Sequence, residues 1–313
     1  MNVEIFAEWM RRQGHTVIES KSSCWFNQGP KVYQAFPYHW TIQPTKDEIN
    51  DLLLKTRGVG LRYSTPIESP EGHISYHVVY QDNSLEYYSL PKKTRHDIQH
   101  GLDYSRIEQI SLNKLSDEGW KLRLDTLIRQ GRQKAENSKS WKRLCLSAQD
   151  LKGFEAWGAV HERQLVASVL CFIMGDCCSI LYQQSLAAHL KHGINNALAY
   201  VVTNEMLSRP GIKQIFYGLN SLDAPASVDE FKFRMGYIAR PVRQRVVFNP
   251  LIKPMFNPIS HQVVKYMLDH RPGNSFLAKT EGMIRFYLEG KLPLSQQIWP
   301  ECLDKATLIG NYG

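Results

Sequence analysis

The chain has 313 residues, 43% hydrophobic and 22% charged, the balance of a globular protein with material for a sizeable core in about two domains. No stretch approaches the roughly 18 unbroken apolar residues that a membrane helix needs. Residues 1–12 carry Glu4, Glu8, Arg11 and Arg12 without an apolar run, so they do not read as a signal peptide and a cytoplasmic protein is expected. The net charge of +8 suits an anionic partner, whether a phosphate-bearing cofactor, a nucleic acid or a membrane face. It is spread along the chain, so nucleic-acid binding is not demanded.

Residues 1–30 read as a short helix followed by an irregular entry, and 31–43, rich in Val, Tyr, Phe and Trp, as extended. Thr45-Lys-Asp-Glu48 is a capping box, followed by Ile49, Leu52 and Leu53 at helical spacing until Gly58. Strands are expected at 59–64, 73–80 and 85–90, a basic helix at 91–101, a strand at 104–111, and a long amphipathic helix at 115–136. Three strands follow at 154–160, 165–174 and 177–183, with links so short that the neighbours must be antiparallel. Next come a helix at 193–208 with Ile194, Leu198, Val201 and Val202 in phase, a buried strand at 212–217, a short helix at 227–235 and a strand at 238–248. Helices at 259–270 and 275–289 close the pattern. The six cysteines form no C-x-x-C pair; Cys171, Cys177 and Cys178 lie in an apolar region and read as reduced core residues.

From about 115 to 248 this order of elements resembles the GNAT acyltransferase fold. The resemblance implies an α/β (α+β) protein with a mixed, mostly antiparallel sheet flanked by helices. It also implies an acyl-CoA held between two parting strands, with its pyrophosphate on backbone amides at the start of the next helix, where free N–H groups and the helix dipole make an anion site. Here that start lies in His189-Leu-Lys-His-Gly193-Ile-Asn195-Asn196, where Gly193 permits close backbone approach and Lys191 and His192 can add charge. The loop departs from the family's usual Q/R-x-x-G-x-G/A, with Leu190 and Asn195 at two of its positions.

Two further segments narrow the resemblance. Asp229-Glu-Phe231-Lys232-Phe-Arg-Met-Gly236-Tyr237, behind Ser221-Leu-Asp223, is similar to the F-K-x-x-x-G ending of FemAB-like proteins. Leu90-x-x-x-x-Arg95-x-x-Ile98-x-x-Gly101 resembles another of their segments. FemAB-like proteins are built of two GNAT-like lobes. The expected organisation is a degenerate N-terminal lobe over 1–111, a complete GNAT domain over 112–250 and a helical extension over 251–313. The implied function is acyl-CoA-dependent transfer, most simply of acetyl, to an amine or hydroxyl of a small-molecule or sugar-like acceptor by direct attack in a ternary complex. FemAB proteins proper take aminoacyl-tRNA, which the basic charge permits, and a non-catalytic binding module is the third reading.

Lys232 stands where ordinary GNAT enzymes carry a tyrosine acid, and could steady the leaving thiolate. Tyr217 and Asn220 leave a strand end that would face the acyl site, with Asn220 reaching the pantetheine arm or a backbone group. Asp223 ranks first as general base among His161, Glu162, Glu205, Asp223, Asp229 and Glu230. Thus Asp223, Lys232 and Tyr217 are the catalytic candidates, and Lys191, His192, Gly193, Asn195, Asn196 and Asn220 the donor-binding ones. His189 and His192 lack the i, i+4 spacing of a helical metal pair, so no metal is expected. Arg240, Arg243 and Arg245 read as a solvated strand face. The acceptor and the oligomeric state stay open.

Overall fold

The computed structural model describes residues 3–29, 31–82, 84–131, 136–220, 227–271 and 273–303. The chain opens with α1 (Val3–Arg12), β1 (Val17–Glu19), β2 (Cys24–Gly29), β3 (Val32–Phe36), α2 (Lys46–Thr56), β4 (Gly60–Thr65) and β5 (His73–Tyr80). It continues with α3 (Lys92–Tyr104), β6 (Arg106–Ile110), α4 (Leu112–Arg129), α5 (Ser138–Ser147), β7 (Phe154–His161), β8 (Gln164–Met174) and β9 (Cys177–Ser185). The last part holds α6 (Ile194–Leu207), β10 (Gln214–Leu219), α7 (Ser227–Arg234), β11 (Ile238–Phe248), α8 (Pro258–Asp269) and α9 (Ser275–Glu289). It gathers into two compact units, one of residues 1–13, 78–218 and 226–238, the other of 14–77, 219–225 and 239–313.

In the first unit the strand order is β10-β9-β8-β7-β6, antiparallel from β6 to β9 and parallel between β9 and β10. The links dictate this. Glu162 and Arg163, both at positive φ, close the β7–β8 hairpin in a two-residue turn, and Gly175-Asp176 closes β8–β9. β9 and β10 are joined through α6, and a helical crossover makes neighbours parallel. Ile194, Leu198, Val202 and Met206, spaced four apart on α6, are fully buried. The expected single helix over 115–136 is two: α4 ends at Arg129, and Asn137 and Ser140 form a capping box that starts α5. Trp141 of α5 donates to the Leu115 carbonyl at 3.2 Å, and Trp9 of α1 to the Leu144 carbonyl at 3.0 Å, so both indoles are buried with their N–H satisfied. Residues 85–90 hold a 3₁₀ turn at Tyr87–Ser89 and not a strand.

The second unit has the order β1-β2-β3-β4-β11, with β3 and β4 parallel across α2 and the other pairs antiparallel. β1 and β2 went unread in the sequence. Thr45 caps α2 by accepting from the Glu48 amide at 3.2 Å, while the Glu48 carboxylate turns to the Ser22 amide and hydroxyl, so the capping box is half made. Its apolar core has one cluster on Trp25, Leu53, Leu61 and Tyr63 and another on Phe248, Ile284 and Phe286. Arg243 corrects the expectation of a solvated strand face. It is 3% exposed and donates to the Ile67 and Gly72 carbonyls.

His77 is buried in this unit, with one ring nitrogen 2.9 Å from the Ser64 hydroxyl and the other 3.3 Å from the Arg240 guanidinium. Burial, then the charge of Arg240, pushes its pKa down to about 3. An unfolded chain protonates this ring near pH 6.5. The folded state therefore binds fewer protons between those values, and stability falls as pH drops from about 6.5 towards about 3. The slope from this one group is at most about 1.4 kcal/mol per pH unit. Urea unfolding at neutral and acidic pH is expected to show this acid limb, and His77→Gln, which cannot take the proton, is expected to flatten it.

Candidate functional site

The parallel register of β9 and β10 covers three positions, from Cys177 opposite Gln214 to Ser179 opposite Phe216. Both strands then continue, β9 to Ser185 and β10 to Leu219, without pairing to one another among the described residues. The cause is visible on the other edge of β9. Cys171 faces Ile180 and Leu170 faces Tyr182, so Leu181 is an extra residue in β9. A bulge of this kind bends and twists its strand. The parting opens at the C-terminal ends of the two parallel strands, the end at which crossover sheets bind ligands.

α6 begins behind that parting. Gly193 is its N-cap at φ +71, and no side chain caps the helix. The first-turn amides of Ile194, Asn195 and Asn196 are the groups an anion would take. Gly193 has a reason of its own to be glycine: a Cβ there would lie 1.9 Å from the Asp97 carbonyl oxygen of α3. Gly101 of α3 answers it, since a Cβ there would lie 2.5 Å from the Gly193 carbonyl. The close approach expected for a ligand is therefore made by the α3 backbone. The fixed residues of the Leu90–Gly101 segment are explained in the same way, since Leu90 and Ile98 are core and Gly101 sets the crossing with α6. Arg95 lies with its guanidinium 5.8 Å from the Tyr88 ring centre, and its Nε is buried without a hydrogen-bond partner.

Three more buried acceptors lack partners near this helix start and strand end: Gln183 Oε1, Gln184 Oε1 and Asn195 Oδ1. Orphaned polar atoms are costly inside a fold and mark a place where a ligand or water belongs. Asn196 is engaged, donating to the Met235 sulfur at 3.6 Å, which ties the first turn of α6 to the end of α7. Lys191 is exposed. His192 stacks on Tyr104 at 3.9 Å, with His161 on the other face of the same ring at 3.8 Å, and the Tyr104 hydroxyl lies 2.8 Å from His189 Nδ1. Partial desolvation, then the charge of Lys191 and the neighbouring imidazoles, holds His192 below its ordinary pKa. At neutral pH it offers a ring and a hydrogen bond in place of the charge expected of it, and becomes a cation only on acidification.

α7 carries the third part. Lys232 is not a solvated lysine. Its side chain is 14% exposed, its Nζ sits 2.6 Å from Asp229 and 5.0 Å from the centre of the Tyr217 ring. The Tyr237 ring lies edge-on to Tyr217 at 5.1 Å, and its hydroxyl bonds Thr203 at 2.6 Å. Burial, then the neighbouring Tyr237 and Asp229, raises the Tyr217 pKa well above the usual phenol value, so this hydroxyl stays protonated. Gly236, at φ +86, ends α7 with the Tyr237 amide bonded back to the Lys232 carbonyl, a glycine cap that fixes where Lys232 points. The structure thus brings Tyr217, Lys232 and Asp229 together. Asp229 entered the sequence reading only as one of six bases; its i, i+3 spacing from Lys232 was the available signal.

The other candidates fall elsewhere. Asp223 lies outside the described residues. Asn220 belongs to the second unit, where its backbone donates to the Tyr76 carbonyl and accepts from Gln244, both at 3.0 Å. Glu205 is exposed, 3.5 Å from Arg209, and Glu230 pairs with Arg234 at 3.6 Å. His161 holds the Tyr104 carbonyl at 2.7 Å. The described residues contain no acidic, histidine or cysteine cluster able to hold a metal. Cys171, Cys177 and Cys178 are fully buried and form no disulfide.

No protein-family model matches the chain, and no curated protein matches it in sequence. Solved structures are similar to it in fold. FemX superposes with a TM-score of 0.53 at 9% identity, over 80% of this chain and 93% of that one. The C-terminal domain of a protein described as a lysylphosphatidylglycerol synthetase from Agrobacterium fabrum gives 0.52 at 11% identity, over 84% and 91%. A protein of unknown function from Bacteroides thetaiotaomicron gives 0.54 at 9%, over 79% and 91%. What is shared at such identities is the fold. The chain shares its fold with FemX, in line with the FemAB-like resemblance of its F-K-x-x-x-G and Leu90–Gly101 segments.

Proposed function

We propose that the protein is an acyltransferase that uses an acyl-CoA, most simply acetyl-CoA, and passes the acyl group to an amine or hydroxyl of a small-molecule acceptor. The observation that carries this reading is the parting of β9 and β10 after three paired positions, in front of a helix that no side chain caps. The thioester would lie in the parting and the pyrophosphate on the Ile194–Asn196 amides, with Lys191 alongside. The orphaned acceptors of Gln183 and Asn195 are available to the pantetheine amides.

The acceptor nitrogen or oxygen attacks the thioester carbonyl, the carbon–sulfur bond breaks, and coenzyme A leaves as thiolate. Lys232 stabilises that negative charge. Tyr217, a phenol held protonated, is a weaker acid than a thiol and so donates a hydrogen bond to the sulfur without giving up its proton. The attacking group's proton goes to a base, for which Asp223 is our candidate and Asp229 the alternative. Positioning and charge stabilisation supply the rate.

The likeness to FemX favours one second reading, in which aminoacyl-tRNA replaces acyl-CoA as donor. Calorimetric titration separates the two. Acetyl-CoA is expected to bind, and coenzyme A to compete with it. Binding of aminoacyl-tRNA alone would replace the first reading with the second, and binding of neither would leave a module without a donor site.

A further inference from the structure

α8 and the chain before it present an apolar surface that no described residue of their own unit covers. At about 100° per residue, Ile259, Val263, Tyr266 and Met267 fall within an arc of about 100°, the width of a stripe that ordinarily faces a core. All are exposed, Ile259 at 74% and Tyr266 at 64%. The helix already uses its other side: Val264 packs on the Phe248–Phe286 cluster, and His261 meets Glu281 of α9 at 2.8 Å. Leu251 and Met255, 89% and 66% exposed, extend the stripe on its N-terminal side. No α8 residue is fully buried, so the helix is amphipathic twice over, once toward its unit and once toward solvent.

The same segment borders a cavity of about 600 Å³ floored by Phe248, Phe286 and Tyr287. Lys46, Lys253, Lys291 and Arg245 stand around it. Arg245 is paired with Glu71, and Lys291 rests on the Tyr287 ring at 3.6 Å, which leaves a cationic opening beside Leu251 and Met255. From 251 to 280 the chain carries Lys253, Lys265, Arg271 and Lys279 against Asp269 as the one acid. No described helix is long and apolar enough to cross a membrane.

We infer that this face docks the protein on an anionic phospholipid surface, the stripe entering the interface and the lysine-rimmed cavity taking a lipid phosphate. Exposed apolar side chains on one arc, following a chain segment that lines a cavity rimmed by Lys46, Lys253 and Lys291, fit a helix that lies in an anionic bilayer interface. The charges decide between a bilayer and a second copy of the chain. Two copies meeting through this stripe would bring like cations together, whereas an anionic surface complements them. The inference concerns the second unit and stands apart from the identity of the acyl donor.

Co-sedimentation tests it. The full chain is expected to pellet with vesicles of equimolar phosphatidylcholine and phosphatidylserine, weakly with phosphatidylcholine alone, and less as salt is raised. Ile259→Asp with Val263→Asp is expected to lower partitioning on the order of tenfold or more, with the thermal unfolding midpoint unchanged because both side chains are exposed. Lys253→Glu and Lys291→Glu are each expected to lower it roughly fivefold or more. The assignment is overturned if the chain ignores anionic vesicles, or if the stripe variants bind them as the parent does. It is also overturned if those variants only dissolve a dimer seen by sedimentation without lipid.

Discussion

Lys232→Met is expected to slow acyl transfer by about a hundred- to a thousandfold, the usual loss when one donor to a developing negative charge is removed. The reading is thiol release from acetyl-CoA in the presence of acceptor, with donor affinity changed little because the thiolate forms only during the reaction. The substitution has a second consequence. Asp229 is 6% exposed and pairs with Lys232 at 2.6 Å. Removing the cation takes the Lys232 pairing from a nearly buried carboxylate, a change that costs about 3–5 kcal/mol where burial is complete. The double variant Asp229→Asn, Lys232→Met removes the carboxylate charge as well. It is expected to regain stability in urea unfolding while staying slow. Recovery of activity with stability would mean that Lys232 only holds α7 in place.

Gly193→Ala is expected to have the largest effect on stability. The new methyl would stand 1.9 Å from a backbone oxygen of α3, on a residue held at φ +71. Backbone cannot swing aside as a long side chain can, so α3 and α6 must separate or the loop must rebuild. Overpacking and left-handed strain together place the cost above about 3 kcal/mol, seen as a drop of several degrees or more in the thermal midpoint. Gly101→Ala, whose methyl would lie 2.5 Å from the Gly193 carbonyl, is expected to behave alike. A Gly193→Ala protein of parental stability would show that α3 and α6 are not packed as described.

What the sequence made legible is the part governed by neighbours along the chain. The two-residue links forced β7, β8 and β9 to be antiparallel, and the four-residue spacing of Ile194, Leu198 and Val202 marked the buried face of α6. The F-K-x-x-x-G ending placed a cap after α7. Long-range facts were out of reach. α4 and α5 are separate because Asn137 caps a new helix, a local signal hidden in a stretch with continuous helical spacing. Gly193 looked like a glycine for a ligand, and only the crossing with Gly101, ninety-two residues earlier, shows it packed against α3. Lys232 and Tyr217 were separate catalytic candidates in the sequence, and only the fold puts the Tyr217 ring beneath the lysine. His192 was expected to add charge, whereas partial desolvation, then Lys191 and the neighbouring imidazoles, hold it below its ordinary pKa. The β9 bulge at Leu181, which parts the strands, has no sequence mark.

An acyl donor is proposed to sit where β9 and β10 part, on the first turn of α6. Hydrogen–deuterium exchange of the free protein and of the acetyl-CoA complex, read at single amides, tests it most directly. Slowed exchange is expected at Ile194, Asn195 and Asn196 and along Gln183–Ser185, with little change in the second unit. Saturating acetyl-CoA that leaves those amides unprotected, or protects a different region, would contradict it.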